Sequence, residues 1–80
     1  MTTRECIVQR IWELCDQRRL TINGLARVSG LPPTSVKSII YGASQNPGII
    51  TLKKICDGLE ISLTEFFDTE EFRSLEQEIK

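Results

Sequence analysis

Eighty residues, 40% of them apolar, with three prolines, five glycines and no low-complexity tract, describe one domain at the small end of what folds alone and exclude a disordered chain. No apolar run approaches the length of a membrane span, and the opening MTTREC shows no apolar stretch of a secretory signal, so a cytoplasmic address without membrane attachment is the expectation. The net charge of −1 conceals two halves: residues 1–56 hold eight Lys/Arg against three acids, and residues 57–80 hold two against eight, a distribution that suits a polyanion on one side of the molecule.

Residues 3–18 place apolar side chains at 7, 8, 11, 12, 14 and 15, the three-and-four spacing of an amphipathic helix. Ile7, Ile11 and Leu14 form its central stripe; Val8, Trp12 and Cys15 widen it. The next stretch, RLTINGLARV, contains Asn-Gly between apolar neighbours, a short-range hairpin signal. A lone two-stranded hairpin would be marginal in a helical chain. Thr21 is a good N-cap, and Leu25, Ala26 and Val28 keep helical spacing up to Gly30, so a second helix is expected over 21–29. Gly24 costs it about 1 kcal/mol relative to alanine.

GLPPTSVKSIIYG, residues 30–42, begins a third helix abruptly. Proline has a fixed φ and no N–H, neither of which harms a first helical turn. Pro33 therefore opens the helix while Pro32 is forced extended. Val36, Ile39 and Ile40 face inward, and Gly42 ends the element. ASQNP (43–47) is a loop. A fourth helix over 49–59 turns Leu52, Ile55, Cys56 and Leu59 inward. ISLTEFFD adds a short fifth, with Ser62 as cap and Glu65 completing a capping box. Residues 69–79 put Phe72, Leu75 and Ile79 on one side of a sixth, acidic helix. The expected fold is all-α: a compact five-helix domain over residues 1–68, followed by an acidic amphipathic C-terminal helix over 69–80.

The chain has three cysteines and no histidine. Cys6, Cys15 and Cys56 cannot all pair with one another and lack metal-ligand spacing. They read as buried thiols acting as small hydrophobes, with an intermolecular disulfide through Cys6 as the other reading. No glycine-rich phosphate loop and no nucleophile–base pair is present, so nothing anchors catalysis and no cofactor or small-molecule ligand is implied.

The informative spacing is Ala26, Gly30, Val36 and Ile39. Two short helices that cross steeply need a small residue where their axes approach, and the sharp turn between them needs one that tolerates positive φ. Leu25, Leu31, Val36 and Ile39 fill the wedge. This is the pattern of a helix-turn-helix, whose second helix enters the major groove of DNA. LTINGLARVSGLPPTSVKSIIYG followed by NPGIITLKKICDGLEISLTEFF resembles the Cro and lambda-repressor type of helix-turn-helix, the xenobiotic-response-element family, without gaps from Ile11 to Asp68. The resemblance implies a five-helix, lambda-repressor-like domain of a DNA-binding transcriptional regulator, usually dimeric.

Carried over residue by residue, the resemblance makes 33–41 the recognition helix, with Pro33, Thr34, Lys37 and Ser38 at base edges. Lys37 suits guanine O6 and N7, and Pro33 or Thr34 suits a thymine methyl. Phosphate-facing groups would be the backbone near Thr21, Arg27, the loop residues Ser44, Gln45 and Asn46, and the N-terminus of the fourth helix.

Some positions depart from the family. Ile22 stands where a glutamine commonly links phosphate to the recognition helix. Cys15 and Ile40 replace an arginine–glutamate pair and are expected to touch. Ile50 is apolar at a usually polar place, and Glu60 stands where a glycine often ends the fourth helix. Tyr41 reads as a partly buried packing residue, with stacking on a base as the other reading. Trp12 needs a cover, expected from the helix of Phe72, Leu75 and Ile79 of the same chain or of a partner. The expected function is a DNA-binding regulator, most simply a repressor, acting as a homodimer on a palindromic operator. The alternative is an antitoxin- or co-regulator-like protein-interaction module that keeps the fold.

Overall fold

The computed structural model describes residues 1–42 and 46–79. Among the described residues six helices follow one another: α1 (Thr3–Gln17), α2 (Ile22–Ser29), α3 (Pro33–Tyr41), α4 (Ile49–Gly58), α5 (Leu63–Phe67) and α6 (Glu70–Arg73). There is no strand among the described residues, so the all-α expectation stands and the Asn-Gly hairpin signal loses. Thr21 decides that contest locally: its hydroxyl accepts the Gly24 N–H at 3.0 Å, which starts α2 and draws Asn23-Gly24 into its first turn.

Side-chain caps set most of the helix starts. Thr2 and Glu5 make a full capping box, with Glu5 N–H donating to Thr2 Oγ1 at 3.1 Å and Thr2 N–H donating to the Glu5 carboxylate at 2.9 Å. The donated Thr2 N–H holds the Glu5 carboxyl below its ordinary range. The box expected at Ser62 and Glu65 is half made: Ser62 Oγ accepts the Glu65 N–H at 3.0 Å. Helix ends rely on left-handed residues. Gly30 (φ 66) ends α2 and lets Leu31 N–H reach back to the Ala26 carbonyl at 3.0 Å. Arg19 (φ 54) and Glu60 (φ 59) do the same after α1 and α4, each at about 1 kcal/mol relative to glycine.

The apolar stripes meet in one core. Ile11, Leu25, Val36, Ile55, Cys56 and Phe66 are fully enclosed there, one or more from every helix of α1–α5. Cys15 and Ile40, the pair standing in for the family's charged groups, are both buried in it. α2 packs on both α3 and α4, α4 packs on α5, and α6 returns to α1. At the α2–α4 crossing the backbones come so close that a Cβ on Gly58 would lie 2.8 Å from the Val28 carbonyl carbon and oxygen and 2.7 Å from Ser29 Oγ.

Three arginines from the α1 segment fasten the ends of three other helices. Arg4 Nη2 donates to the Ile39 carbonyl in the last turn of α3 at 2.9 Å. Arg10 donates through Nε to the Phe66 carbonyl at 2.7 Å and through Nη2 to the Glu65 carbonyl at 2.9 Å, both in the last turn of α5. Arg18, the C-cap of α1, donates through Nε to the Leu59 carbonyl at the end of α4 at 3.1 Å. The last carbonyls of a helix have no partner within it and carry the negative end of its dipole, so a guanidinium there satisfies both.

The sixth helix departs from expectation. It covers Glu70–Arg73 where the sequence predicted a helix over 69–79, and Ile79 is 87% exposed. Only Phe72 anchors α6 firmly, its ring 4.9 Å from that of Phe67 and 6.1 Å from that of Phe66, centre to centre. A short helix with so little packing does not propagate. Glu76 and Glu78 would also sit at its C-terminal end, against the dipole, and Ser74 Oγ donates to the Glu70 carbonyl at 2.7 Å, an alternative to continued helix. Phe72 packs on the rings of Phe66 and Phe67, and Trp12 stays 43% exposed.

Two substitutions check this framework by denaturant unfolding. Gly58→Ala should lower stability by about 1–3 kcal/mol through overpacking against α2, outweighing the roughly 1 kcal/mol by which alanine favours a helix. Arg10→Ala should lower it by about 2 kcal/mol, since it strips a charged donor from two carbonyls; an unchanged midpoint for either would contradict the geometry.

Candidate nucleic-acid interface

The α2–α3 unit is fixed from within. Ala26 is buried where the helices approach, Val36 and Ile39 fill the angle between them, and only Leu31 and Pro32 lie between the left-handed Gly30 and the start of α3 at Pro33. Pro32 is extended (ψ 142) and Pro33 occupies the first helical position, as expected. With Val36, Ile39 and Ile40 facing the core, helical spacing turns Pro33, Thr34, Lys37 and Ser38 outward. The first three are exposed and Ser38 is half-buried.

Nothing described in the chain lies over that face. The acidic C-terminal segment runs instead beside the start of α1, where Thr3 Oγ1 donates to Glu78 Oε1 at 2.6 Å. Pro33, Thr34, Lys37 and Ser38 therefore form one stripe, while the remaining candidates belong to other elements. Thr21 is exposed at the N-cap of α2, its hydroxyl engaged by Gly24. Arg27 is exposed in the last turn of α2 and Asn46 is exposed ahead of α4. Ser44 and Gln45 lie outside the described residues. The α4 N-terminus starts at Gly48 without a side-chain cap, so the donors of its first turn have no side-chain acceptor of their own. Ile49 and Ile50 beside them are exposed.

The positive charge of residues 1–56 divides in two. Arg4, Arg10, Arg18 and Lys53 are committed within the fold, the last to Asp57 one turn along α4. Arg19, Arg27, Lys37 and Lys54 are exposed and their side chains make no hydrogen bond or ion pair among the described residues. Three of the eight cations that gave the sequence its basic character therefore hold the domain together, Lys53 makes an exposed pair within its own helix, and the other four are available to an outside anion. Burial pushes the Cys6, Cys15 and Cys56 thiols up, which keeps them protonated and unreactive. No cluster of metal-ligating residues occurs among the described residues.

Tyr41 corrects an expectation. Read as a partly buried packing residue, it is 69% exposed, because Ile39 and Ile40 take the inward positions of that turn and leave residue 41 on the outer side. The signal was present in the spacing: Tyr41 lies seven residues after Thr34, four after Lys37 and three after Ser38, which is one helical stripe.

Comparison with known proteins converges on one family. A family model described as the Cro/C1-type HTH DNA-binding domain matches residues 10–71. The HTH-type transcriptional regulator SlrR of Bacillus subtilis (strain 168) is 38% identical over 65 residues, which is 80% of this chain and 43% of that protein. The chain thus spans less than half the length of this relative. Among solved structures, the crystal structure of the prophage Lp1 protein 11 superimposes with a TM-score of 0.80 at 36% identity, covering 94% of this chain and all of the other.

Proposed function

The chain belongs to the Cro/C1-type helix-turn-helix DNA-binding family of transcriptional regulators, which are not enzymes, and from that membership we propose that it is a sequence-specific regulator acting as a homodimer on a palindromic operator. The observation that carries the proposal is the outer stripe of α3, uncovered by the chain's own tail and set on a helix whose opposite face is locked into the core.

In this reading two recognition helices enter successive major grooves about 34 Å apart. Lys37 donates to guanine O6 and N7, Ser38 and Thr34 make shorter and less discriminating contacts, and Pro33 or the Thr34 methyl meets a thymine methyl. The backbone near Thr21, the Arg27 guanidinium, the loop of Ser44, Gln45 and Asn46, and the free donors at the start of α4 hold phosphates and set the register. The absence of the family's glutamine at Ile22 shifts orientation onto these groups. One monomer gains few contacts, so dimerisation and affinity are coupled. Repression by occluding polymerase is the simplest output, and the site of action is cytoplasmic. The exposed Ile49 and Ile50 favour a second reading, a protein-interaction module on the same fold.

Selection of bound sequences from random duplex DNA at moderate salt tests the choice. A palindromic motif should emerge for the wild-type chain, and Lys37→Ala and Ser38→Ala should each relax it at specific positions. Lys37→Ala should also reduce the salt slope of binding by about 1, whereas Arg10→Ala should leave it unchanged. Enrichment of no motif would favour the interaction module, and a motif indifferent to both α3 substitutions would move the reading face elsewhere.

A further inference from the structure

We propose that Tyr41 is a further DNA-contacting residue, its hydroxyl donating to a phosphate oxygen at the rim of the groove that α3 enters. The proposal rests on the DNA-binding reading above and adds a residue outside it.

Tyr41 is the last residue of α3 and lies on the stripe of Thr34, Lys37 and Ser38. Its ring takes no part in the aromatic cluster, which is built from Phe66, Phe67 and Phe72. Its hydroxyl has no partner among the described residues. A large ring left mostly in solvent with an idle donor contributes little to the fold, yet its position is well defined. Gly42 in the left-handed region (φ 99) closes the helix directly after it, and Arg4 holds the Ile39 carbonyl two residues before it. The C-terminal turn that carries Tyr41 is thus tied to α1.

The length of the helix sets what the ring can reach. Seven residues at 1.5 Å each put Tyr41 about 10 Å along the axis from Thr34, at the opposite end of the helix. A recognition helix reads base edges with its N-terminal residues. When Thr34 is at the floor, Tyr41 is near the rim, where the accessible groups are phosphate oxygens. Tyrosine suits that place, with an apolar ring to lie along the groove wall and a neutral donor at its tip.

That chemistry gives a signature different from the other contacts. A phosphate contact carries no sequence information, and an uncharged donor releases no counterion. Losing it weakens binding evenly on all duplexes and leaves both motif and salt slope unaltered.

The test compares the wild-type 80-residue chain with Tyr41→Phe and Tyr41→Ala on a labelled duplex carrying the selected motif and on a scrambled duplex, across a salt series. Tyr41→Phe should bind both duplexes about three- to tenfold more weakly with unchanged slope and motif, and Tyr41→Ala at least as weakly. Unaltered melting midpoints would show that both variants fold, as an exposed residue leads one to expect. Equal binding by Tyr41→Phe and wild type would overturn the proposal. So would a loss confined to particular base pairs, or altered sedimentation of the DNA-free variant, which would assign the ring to base reading or to a second copy. A wild-type chain that selects no motif would instead defeat the DNA-binding reading itself, so the two failures are distinguishable.

Discussion

Guanidinium groups from the α1 segment hold the carbonyl ends of three other helices, α3 among them. Arg4, Arg10 and Arg18 reach α3, α5 and α4 from successive positions along the α1 segment. Apolar burial supplies most of the driving force in a domain of this size but is indifferent to direction. Hydrogen bonds to the unpaired carbonyls of a helix end are directional, and they fix where each helix stops relative to α1. For α3 the part-buried bond to Ile39 O caps the C-terminal end of a helix whose Ile39 side chain is buried. It anchors the element without using its outer face.

The same arrangement changes how the charge of the chain is understood. A count of arginines and lysines treats each as a candidate for a polyanion. Three of the eight in residues 1–56 are instead internal fastenings, and Arg10 is the extreme case, with its guanidinium shared among Glu13, Glu65 and Phe66. The electrostatic attraction left for nucleic acid is modest. In the proposed reading, contacts by small polar groups on α3 and pairing with a second copy would carry a larger share of the affinity than bulk charge does.

Departures from the family's pattern resolve into two kinds. Cys15 and Ile40 exchange a charged pair for apolar groups that the core absorbs, a replacement that spares the desolvation of two ions. Glu60 keeps the left-handed conformation that a glycine would adopt more easily, because Ile61 N–H must still reach the Cys56 carbonyl at 3.0 Å to close α4. In one case the interaction changed and the geometry did not need it; in the other the geometry was indispensable and the residue bears the strain.

Most of the fold was legible before any coordinates. Helical spacing, the Thr21 cap, the Gly30 stop and the double proline are local features, each decided within a turn or two of chain by sterics and by nearby hydrogen bonds. They gave five of the six helices to within a residue or two, together with the inward-facing residues and the stripe of α3. The tertiary structure decided what no window along the chain contains. The arginine bonds join residues 35, 41 and 56 positions apart, so the internal use of these three basic residues was invisible. The fates of Trp12 and Ile79 depended on which neighbours arrive from elsewhere. Phe72 was claimed by two other rings, α6 stopped after one turn, and exposure followed. Periodicity states which way a side chain points relative to its own helix; only packing determines whether anything is there to meet it.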